Sequence, residues 1–539
     1  MFENHPSILK INESINKDEI FSFAPVSTDD IRKEIENLDS TKATQGNDIP
    51  TKIIKENCDI FTQFITENFN ENINNSTFPE QLKLADVKPI FKKDSRFEKA
   101  NYRPVSILSN LSKIYEKCMY KQISQYFNLK FSKFQCGFRK GYSSQDCLIA
   151  MIEKWKASLD QGGKCGALLT DLSKAFDCLP HDLFIAKLHA HGFDMPSLKL
   201  IHSYISNRKQ RVRINNSYSS WSEILFGVPQ GSILGPLLFN IFLCDLFLFV
   251  PNINIASYAD DTTPYCTGKD VMTVLSNLEQ AADTLSVWFK NNSMKANADK
   301  YHVLLSENKK YCVKVENTTI ATTKCETLLG IKLDNKLTFQ THVESLCKKA
   351  SQKLNALARI SSLISLEQRK LLFNAFIRSQ FSYCPLVWML HSKKLNHRIN
   401  RIHERALRTV YKDYDSSFEN LLLKDNSLTT HQRNLQILAT EIYKVKSGIA
   451  PEIMSEVFSI VDNPYNLRNN VKFKSKNIHT VRYGTETLSF IGPKIWTEVP
   501  DKCKTANSLK DFKVSIKSWI PDNCPCKICR VYVQNLGYL

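Results

Sequence analysis

Ala167-Leu168-Leu169-Thr170-Asp171 is an apolar run that ends in a carboxylate, and Leu172-Ser173-Lys174-Ala175-Phe176-Asp177 follows it as the entry to a helix. Downstream, Ile255-Ala256-Ser257-Tyr258-Ala259-Asp260-Asp261-Thr262-Thr263 reads as a second short strand whose tip is a double aspartate, a composition suited to a tight hairpin turn. Adjacent acids at a turn are usually solvated turn formers. Two strands ending in acids, however, flank a Gly/Pro-rich loop, Phe226-Gly227-Val228-Pro229-Gln230-Gly231-Ser232-Ile233-Leu234-Gly235-Pro236. Such loops let backbone amides approach a ligand closely, because glycine carries no side chain.

Around this centre the pattern widens. Short β-rich runs at 85–91, 164–170, 210–214, 253–258 and 303–305 alternate with amphipathic helices, which predicts an α+β domain over 73–334. Residues 1–72 form a polar, Asn-rich extension leading into it, in which Thr28-Asp29-Asp30 is expected to cap a helix over Ile31 to Leu38. Residues 335–412 are almost wholly helical, and 413–539 form a mixed C-terminal region ending in a cysteine cluster.

The 539 residues carry 72 Lys+Arg against 54 Asp+Glu, a formal net charge of +18, which favours polyanionic partners. A hydrophobic content of 42% with 16 Gly and 19 Pro excludes a disordered or collagen-like chain. No apolar stretch stands behind a basic start, so no signal peptide is expected. The most apolar run, 237–250, contains Asn240 and Asp245 and is too short to span a bilayer, so it reads as a buried helix. No membrane association is expected. The 16 cysteines then read mainly as reduced thiols of an intracellular protein of the nucleus, the cytoplasm or both, and not a secreted one.

Further along, the motifs keep a fixed order. Lys88-Pro89-Ile90-Phe91-Lys92-Lys93 and Asn101-Tyr102-Arg103-Pro104-Val105-Ser106 precede the first aspartate; Asn291 to Lys300 and Leu328-Leu329-Gly330-Ile331 follow the acid pair. This ordered set resembles the reverse transcriptases of non-LTR (LINE-type) retrotransposons, the jockey- and CR1-like groups most closely, over roughly 41–410.

The resemblance implies a right-hand polymerase with fingers, a palm built on an antiparallel sheet, and a helical thumb. It implies RNA-directed DNA synthesis in retrotransposon replication, with an RNA template, a DNA primer and dNTPs as partners. Attack of a primer hydroxyl on a nucleotide α-phosphate is served by two Mg²⁺ ions about 4 Å apart, for which Mn²⁺ can substitute. Asp171, Asp260 and Asp261 match the family's metal ligands, whereas Asp177 is expected to cap or pair locally. Phe176 matches the ring that excludes a ribose 2′-hydroxyl. Lys92 and Arg103 match fingers contacts to the triphosphate, with Lys93 as the one-place alternative to Lys92. Gln230 and Gly231 match the nucleotide-facing loop, Lys300 a proton donor to pyrophosphate, and Gly330 the primer-side turn. His181 is expected to start a helix.

Two departures stand out. Lys42 to Pro50 resembles a template-contacting motif with altered Gly and Asp spacing, and nothing upstream resembles the endonuclease of full elements, for which 72 residues are too few. The alternative reading is a catalytically silent nucleic-acid-binding remnant of a retrotransposon.

Arg398, Arg401, Arg405, Arg408 and Lys412 recur in steps of 3, 4, 3 and 4, one face of a helix, with Ile399, Ile402, Ala406 and Val410 as a second stripe. Residues 341–412 hold 14 Lys/Arg against 3 Asp/Glu, so this rail is the expected grip on duplex phosphates. Cys524-Pro525-Cys526-Lys527-Ile528-Cys529 invites zinc, but Cys503 lies 21 residues upstream and no histidine follows His479. With no fourth ligand in view, the sequence argues against zinc. Nothing in it fixes the oligomeric state.

Overall fold

The computed structural model describes residues 2–14, 19–46, 48–172, 175–251, 253–297, 300–461, 473–521 and 524–529. Ser173, Lys174, Ala298, Asp299 and Asn47, which fall within the motifs quoted above, lie outside them. The chain divides into two compact, discontinuous units: Met1–Phe138, Thr170–Asn252 and Ala281–Lys300 form the first; Arg139–Leu169, Ile253–Gln280 and Tyr301–Leu539 form the second.

In the first unit, β1 (Leu84–Phe91) and β2 (Tyr102–Ile107) make an antiparallel hairpin. Together with β4 (Arg208–Ile214), β5 (Ser217–Tyr218) and β6 (Ser222–Ile224) they complete a sheet in which β1 and β4 run parallel. Arg211 Nε donates to the buried Asp86 carboxylate at 2.8 Å across that parallel pair. In the N-terminal extension the cap is Ser27, one residue before the expected Thr28. Its hydroxyl accepts from Asp30 N and Asp30 answers to Ser27 N, a reciprocal box opening the helix Thr28–Glu36.

The apolar run 237–250 is buried as expected but broken into the helices Gly235–Leu243 and Leu246–Phe249. Asp245 stands between the two helices. Its carboxylate takes Lys187 Nζ at 2.6 Å and Trp288 Nε1 at 2.9 Å, and Lys187 also donates to Phe242 O at 2.9 Å. Both charged side chains are fully buried.

In the second unit, β3 (Lys164–Leu169), β7 (Asn254–Tyr258), β8 (Asp261–Gly268), β9 (His302–Leu305), β10 (Cys312–Val315) and β11 (Thr318–Thr323) form a sheet of order β10-β11-β9-β3-β8-β7. Four of its five pairings are antiparallel, as expected, and the one parallel pair, β11 with β9, lies inside the strand order. β3 is buried along most of its length, which fits its unbroken apolar sequence. A Cβ at Gly166 would stand 2.9 Å from Val274 Cγ1 and 3.1 Å from Leu278 Cδ1, so a larger residue there would have to displace those side chains. The helix Ser144–Asp160 packs on β3, β7 and β8. A separate hairpin joins β12 (Cys325–Leu328) to β13 (Ile331–Asp334).

Residues 340–411 are helical as expected, with Gln340–Ile360 and Lys393–Tyr411 the longest elements. The region after 413 is built onto the same unit. Glu153 accepts from Leu488 N at 2.7 Å and Ser489 N at 3.0 Å, and Asp160 accepts from His479 N at 3.0 Å and Thr480 N at 2.7 Å. Two carboxylates on one helix thus hold the start of the helix Leu488–Glu498 and the turn before it. No helix among the described residues is long and apolar enough to cross a membrane.

Breaking the buried pair from one side should be far worse than removing both charges. Lys187→Met alone is expected to lower the unfolding free energy by about 3–5 kcal/mol, while Lys187→Met with Asp245→Leu recovers most of that loss in chemical denaturation. Equal losses for single and double variants would contradict this account.

Candidate active site

The sheet of the second unit brings one acid to a turn. β7 and β8 pair through Tyr258↔Asp261, which leaves Ala259-Asp260 as a two-residue loop. The double aspartate therefore straddles the turn: Asp260 sits at its tip and Asp261 opens β8, both exposed. Ala259 has φ +59°, a left-handed conformation that two-residue hairpin loops demand and that a side chain resists. β3 runs antiparallel to β8, with Ala167 opposite Tyr265, so the C-terminal end of β3 and the β7–β8 turn lie at the same end of the sheet.

Asp171 follows Leu169 by two residues and belongs to the first unit. Its neighbour Leu172 bridges Ala296, and Asn297 N donates to Asp171 O at 3.2 Å. That short ladder delivers Lys300, whose Nζ lies 3.0 Å from Asp171 Oδ2, both side chains roughly half exposed. Two residues 129 apart in sequence thus meet in one ion pair.

Phe176 is clamped by aromatic neighbours. Its ring stacks on Phe239 at 4.4 Å and meets the edge of Phe138 at 5.8 Å. The Gly/Pro-rich loop is laced to the same segment: Val228 N donates to Phe176 O at 2.9 Å and Gly227 N to Leu179 O at 2.8 Å. Gly227 has φ +82°, and a Cβ there would collide with the backbone of Phe176 and Asp177. Gly231, at φ +118°, would place a Cβ 2.6 Å from Ser106 O. Gln230 donates through Nε2 to Asp177 Oδ1 at 3.2 Å, the local pairing expected of Asp177, and through its carbonyl it accepts from Ser106 N at 2.7 Å. His181 starts the helix His181–Ala190, with Nε2 2.8 Å from Gly227 O; burial pulls its imidazole below the usual range.

Sequence reading missed Glu116. Fully buried on the helix Asn110–Phe127, it accepts from Ile233 N at 2.6 Å, Leu234 N at 3.1 Å and Ser112 Oγ at 3.2 Å. Burial pushes its carboxyl pKa up. The available signal was an acid among Ile114, Tyr115, Cys118 and Met119. The stretch Lys42 to Pro50 has local structural duties: Asp48 Oδ2 accepts from Asn110 N at 2.7 Å at the start of that helix, and Gln45 Nε2 donates to Leu84 O at 2.7 Å.

On the β1–β2 hairpin, Ile90 stands opposite Arg103, and Lys92 N continues the ladder to Asn101 O at 2.8 Å. The two-residue period puts Lys92, which continues the ladder one residue past β1, on the face of Ile90 and Arg103, while Lys93 lies in the bend that follows. Lys92 and Arg103 are exposed. At the β12–β13 turn, Leu329 and Gly330 have φ +46° and +79°, the pattern of a type I′ turn. Tyr383 covers it, donating its hydroxyl to Leu329 O at 2.8 Å.

The helix Lys393–Tyr411 buries Ile399, Ile402, Ala406 and Val410 and exposes Arg398, Arg401 and Arg405. The expected five-residue rail is shorter than its spacing suggested. Arg408 pairs with Glu404 at 2.8 Å and donates to Tyr414 O, and Lys412 lies past the helix as a left-handed cap with φ +53°. At the C-terminus the missing fourth ligand is present: His431 gathers with Cys524, Cys526 and Cys529. It escaped notice because it lies 93 residues before Cys524, and only folding brings the two together.

Residues 90–333 match the family model of reverse transcriptase (RNA-dependent DNA polymerase). The probable RNA-directed DNA polymerase from transposon BS of Drosophila melanogaster is 26% identical over 411 residues, 72% of this chain and 44% of that protein. The RNA-directed DNA polymerase from mobile element jockey of the same species is 26% identical over 408 residues, again 72% and 44%. This chain therefore spans less than half the length of those relatives. A telomerase from Candida albicans, solved with a fragment of telomeric RNA, overlays with a TM-score of 0.37 at 13% identity over 69% of this chain and 71% of that one, a likeness too loose to carry weight. The acid at a strand end, the acid-tipped hairpin and the glycine loop between them thus lie inside the stretch that matches the reverse transcriptase family, and over 72% of its length the chain is similar to polymerases of jockey-type mobile elements.

Proposed function

We propose that this chain is an RNA-directed DNA polymerase that extends a DNA primer on an RNA template with dNTPs. The observation that carries the reading is the placement of acids: Asp260 at the tip of the β7–β8 hairpin, at the sheet end where β3 finishes, and Asp171 two residues beyond β3 and paired with Lys300. Binding nucleic acid alone needs no carboxylates at such points, since they repel phosphate.

Asp171, Asp260 and Asp261 would hold two Mg²⁺, or Mn²⁺ in their place; all three offer accessible carboxylate oxygens, the donor type hard divalent cations prefer. When bound, the metal supplies the positive charge that activates the primer hydroxyl and offsets charge on the leaving pyrophosphate. Lys300, held by Asp171 in this structure, exchanges that carboxylate for the pyrophosphate oxygen it protonates. Lys92 and Arg103, on one face of the β1–β2 hairpin, bind the β- and γ-phosphates. The loop at Gln230-Gly231 borders the nucleotide, and Phe176, fixed between Phe138 and Phe239, excludes a 2′-hydroxyl.

In this reading the hairpin sheet serves as fingers, the six-stranded sheet as palm and residues 335–412 as thumb. Gly330 supports the primer-side turn, and Arg398, Arg401 and Arg405 meet duplex phosphates, with Arg408 and Lys412 at the margin. Sixteen free cysteines support an intracellular setting, nucleus or cytoplasm.

Primer extension on an RNA template with dNTPs and Mg²⁺ tests the proposal. Asp260→Ala is expected to lower the rate roughly a thousandfold, about 4 kcal/mol of barrier, with primer-template affinity preserved. A wild-type chain that binds primer-template without extending it would refute polymerase function. Phe176→Ala should raise NTP use relative to dNTP by roughly 10–100-fold; unchanged sugar selectivity removes Phe176 from that role. Neutralising Arg401 and Arg405 should reduce the slope of log affinity against log salt by about two, a result that an unaltered slope would exclude.

A further inference from the structure

We propose that His431, Cys524, Cys526 and Cys529 form a structural zinc site that clips the C-terminal segment to the helix Thr430–Lys446. One ligand atom from each residue lies within 4.8 Å of all the others. His431 Nε2 stands 3.3 Å from Cys526 Sγ and 3.3 Å from Cys529 Sγ. Tetrahedral bonds of about 2.3 Å to sulfur and about 2.0–2.1 Å to nitrogen would put sulfur and nitrogen about 3.5 Å apart, so a small contraction or expansion suffices to seat the ion. The cluster is set into the fold: Cys526 is 1% and His431 6% exposed, and Ile528 beside them is buried.

The donor set selects the metal. Three thiolates and an imidazole are soft and borderline ligands that favour zinc over magnesium or calcium, and four protein ligands leave no open position for chemistry, which marks a structural site. The spacing agrees with this: Cys-x-Cys-x-x-Cys supplies three ligands from six residues, and the fourth comes from the first turn of a helix far upstream. Binding forms three Zn–S bonds and one Zn–N bond, and each thiol that ligates releases its proton to solvent.

The clip has something to fasten. The helix Thr430–Lys446 packs against the helix Leu488–Glu498, whose first amides are held by Glu153. Beside the cluster, Lys527 pairs with Glu486 at 2.7 Å. A bond from 524–529 back to His431 closes the intervening chain into a loop anchored at both ends, the arrangement in which a cross-link removes most freedom from the unfolded chain. The site does not depend on the proposed polymerase activity, and its test reads the metal directly.

Full-length protein loaded with zinc, desalted and analysed by elemental mass spectrometry should carry one ion per chain. Loaded with cobalt(II) instead, it should show the strong visible bands of a tetrahedral thiolate complex. His431→Ala and Cys526→Ser should each fall from one ion to none, Cys503→Ser, a buried thiol outside the cluster, should keep the ion, and His431→Cys should keep it with a shifted cobalt spectrum. Wild-type protein that retains no zinc and gives only the weak spectrum of six-coordinate cobalt overturns the proposal, whatever the variants do; so does a folded His431→Ala that still holds a full equivalent.

Discussion

Lys187 and Asp245 carry opposite charges where no water reaches, and the first unit is arranged so that neither is left alone. Moving such ions out of water costs several kcal/mol each, a penalty their attraction offsets only when the remaining donors and acceptors are also satisfied. Here they are: Asp245 takes Trp288 Nε1 on its second oxygen, and the Lys187 ammonium reaches Phe242 O and lies over the Phe242 and Trp288 rings at 4.2 and 4.8 Å. Three chain segments, 181–190, 235–250 and the stretch around Trp288, are bound to one another by this requirement.

Its consequences run outward along the chain in both directions. Upstream of the helix Gly235–Leu243 lies the Gly/Pro-rich loop, whose near end is fixed by Glu116 and whose far residues are tied to Phe176 and Leu179. The same helix supplies Phe239, against which Phe176 stacks. Downstream of Trp288, Met294 N returns to Phe289 O at 2.8 Å, Ala296 bridges Leu172, and Lys300 reaches Asp171. A buried pair that contacts no proposed substrate therefore stands on the same chain segments as both the loop and the lysine.

How much of this the sequence disclosed follows from which interactions are local. β3, the acid-tipped hairpin and the basic helix were legible because period-2 and period-3.6 patterns record burial directly, and the structure keeps Ile399, Ile402, Ala406 and Val410 inside. The resemblance brought Asp171 and Lys300 onto one list, but their ion pair depends on a bridge between residues 124 apart that no pattern announces. His431 was invisible for the same reason, an ordinary helical residue until a distant segment arrives, and Glu116 showed only as an acid among apolar neighbours, with nothing to name the loop it holds. The break at Asp245 was half legible, since an acid inside an apolar run signals a partner without naming Lys187. Ala259 was missed in a different way, because alanine carries no mark of a positive φ; hairpin register imposes that conformation.

The net charge of +18 also changes meaning once burial is known. Of the 14 cations in 341–412, Arg369 is a carbonyl clamp rather than a phosphate ligand, donating to Val410 O at 2.7 Å, Ser361 O at 2.9 Å and Ile364 O at 2.8 Å, and so closing the ends of two helices. Arg408 serves Glu404 and Tyr414. In the same way Lys187 answers Asp245, and buried Arg208 donates to Tyr204 O at 2.9 Å. Such cations hold the fold by giving protein oxygens a partner where water cannot. The charge left outside for a polyanion is, in the helix Lys393–Tyr411, that of Lys393, Lys394, Arg398, Arg401 and Arg405, the three arginines sharing one face because their apolar neighbours occupy the other. Nine of the 14 cations in 341–412 remain exposed, so the count overstates the available charge only by the minority that serve the fold, and each exposed cation that neutralises a phosphate adds to the salt dependence of binding.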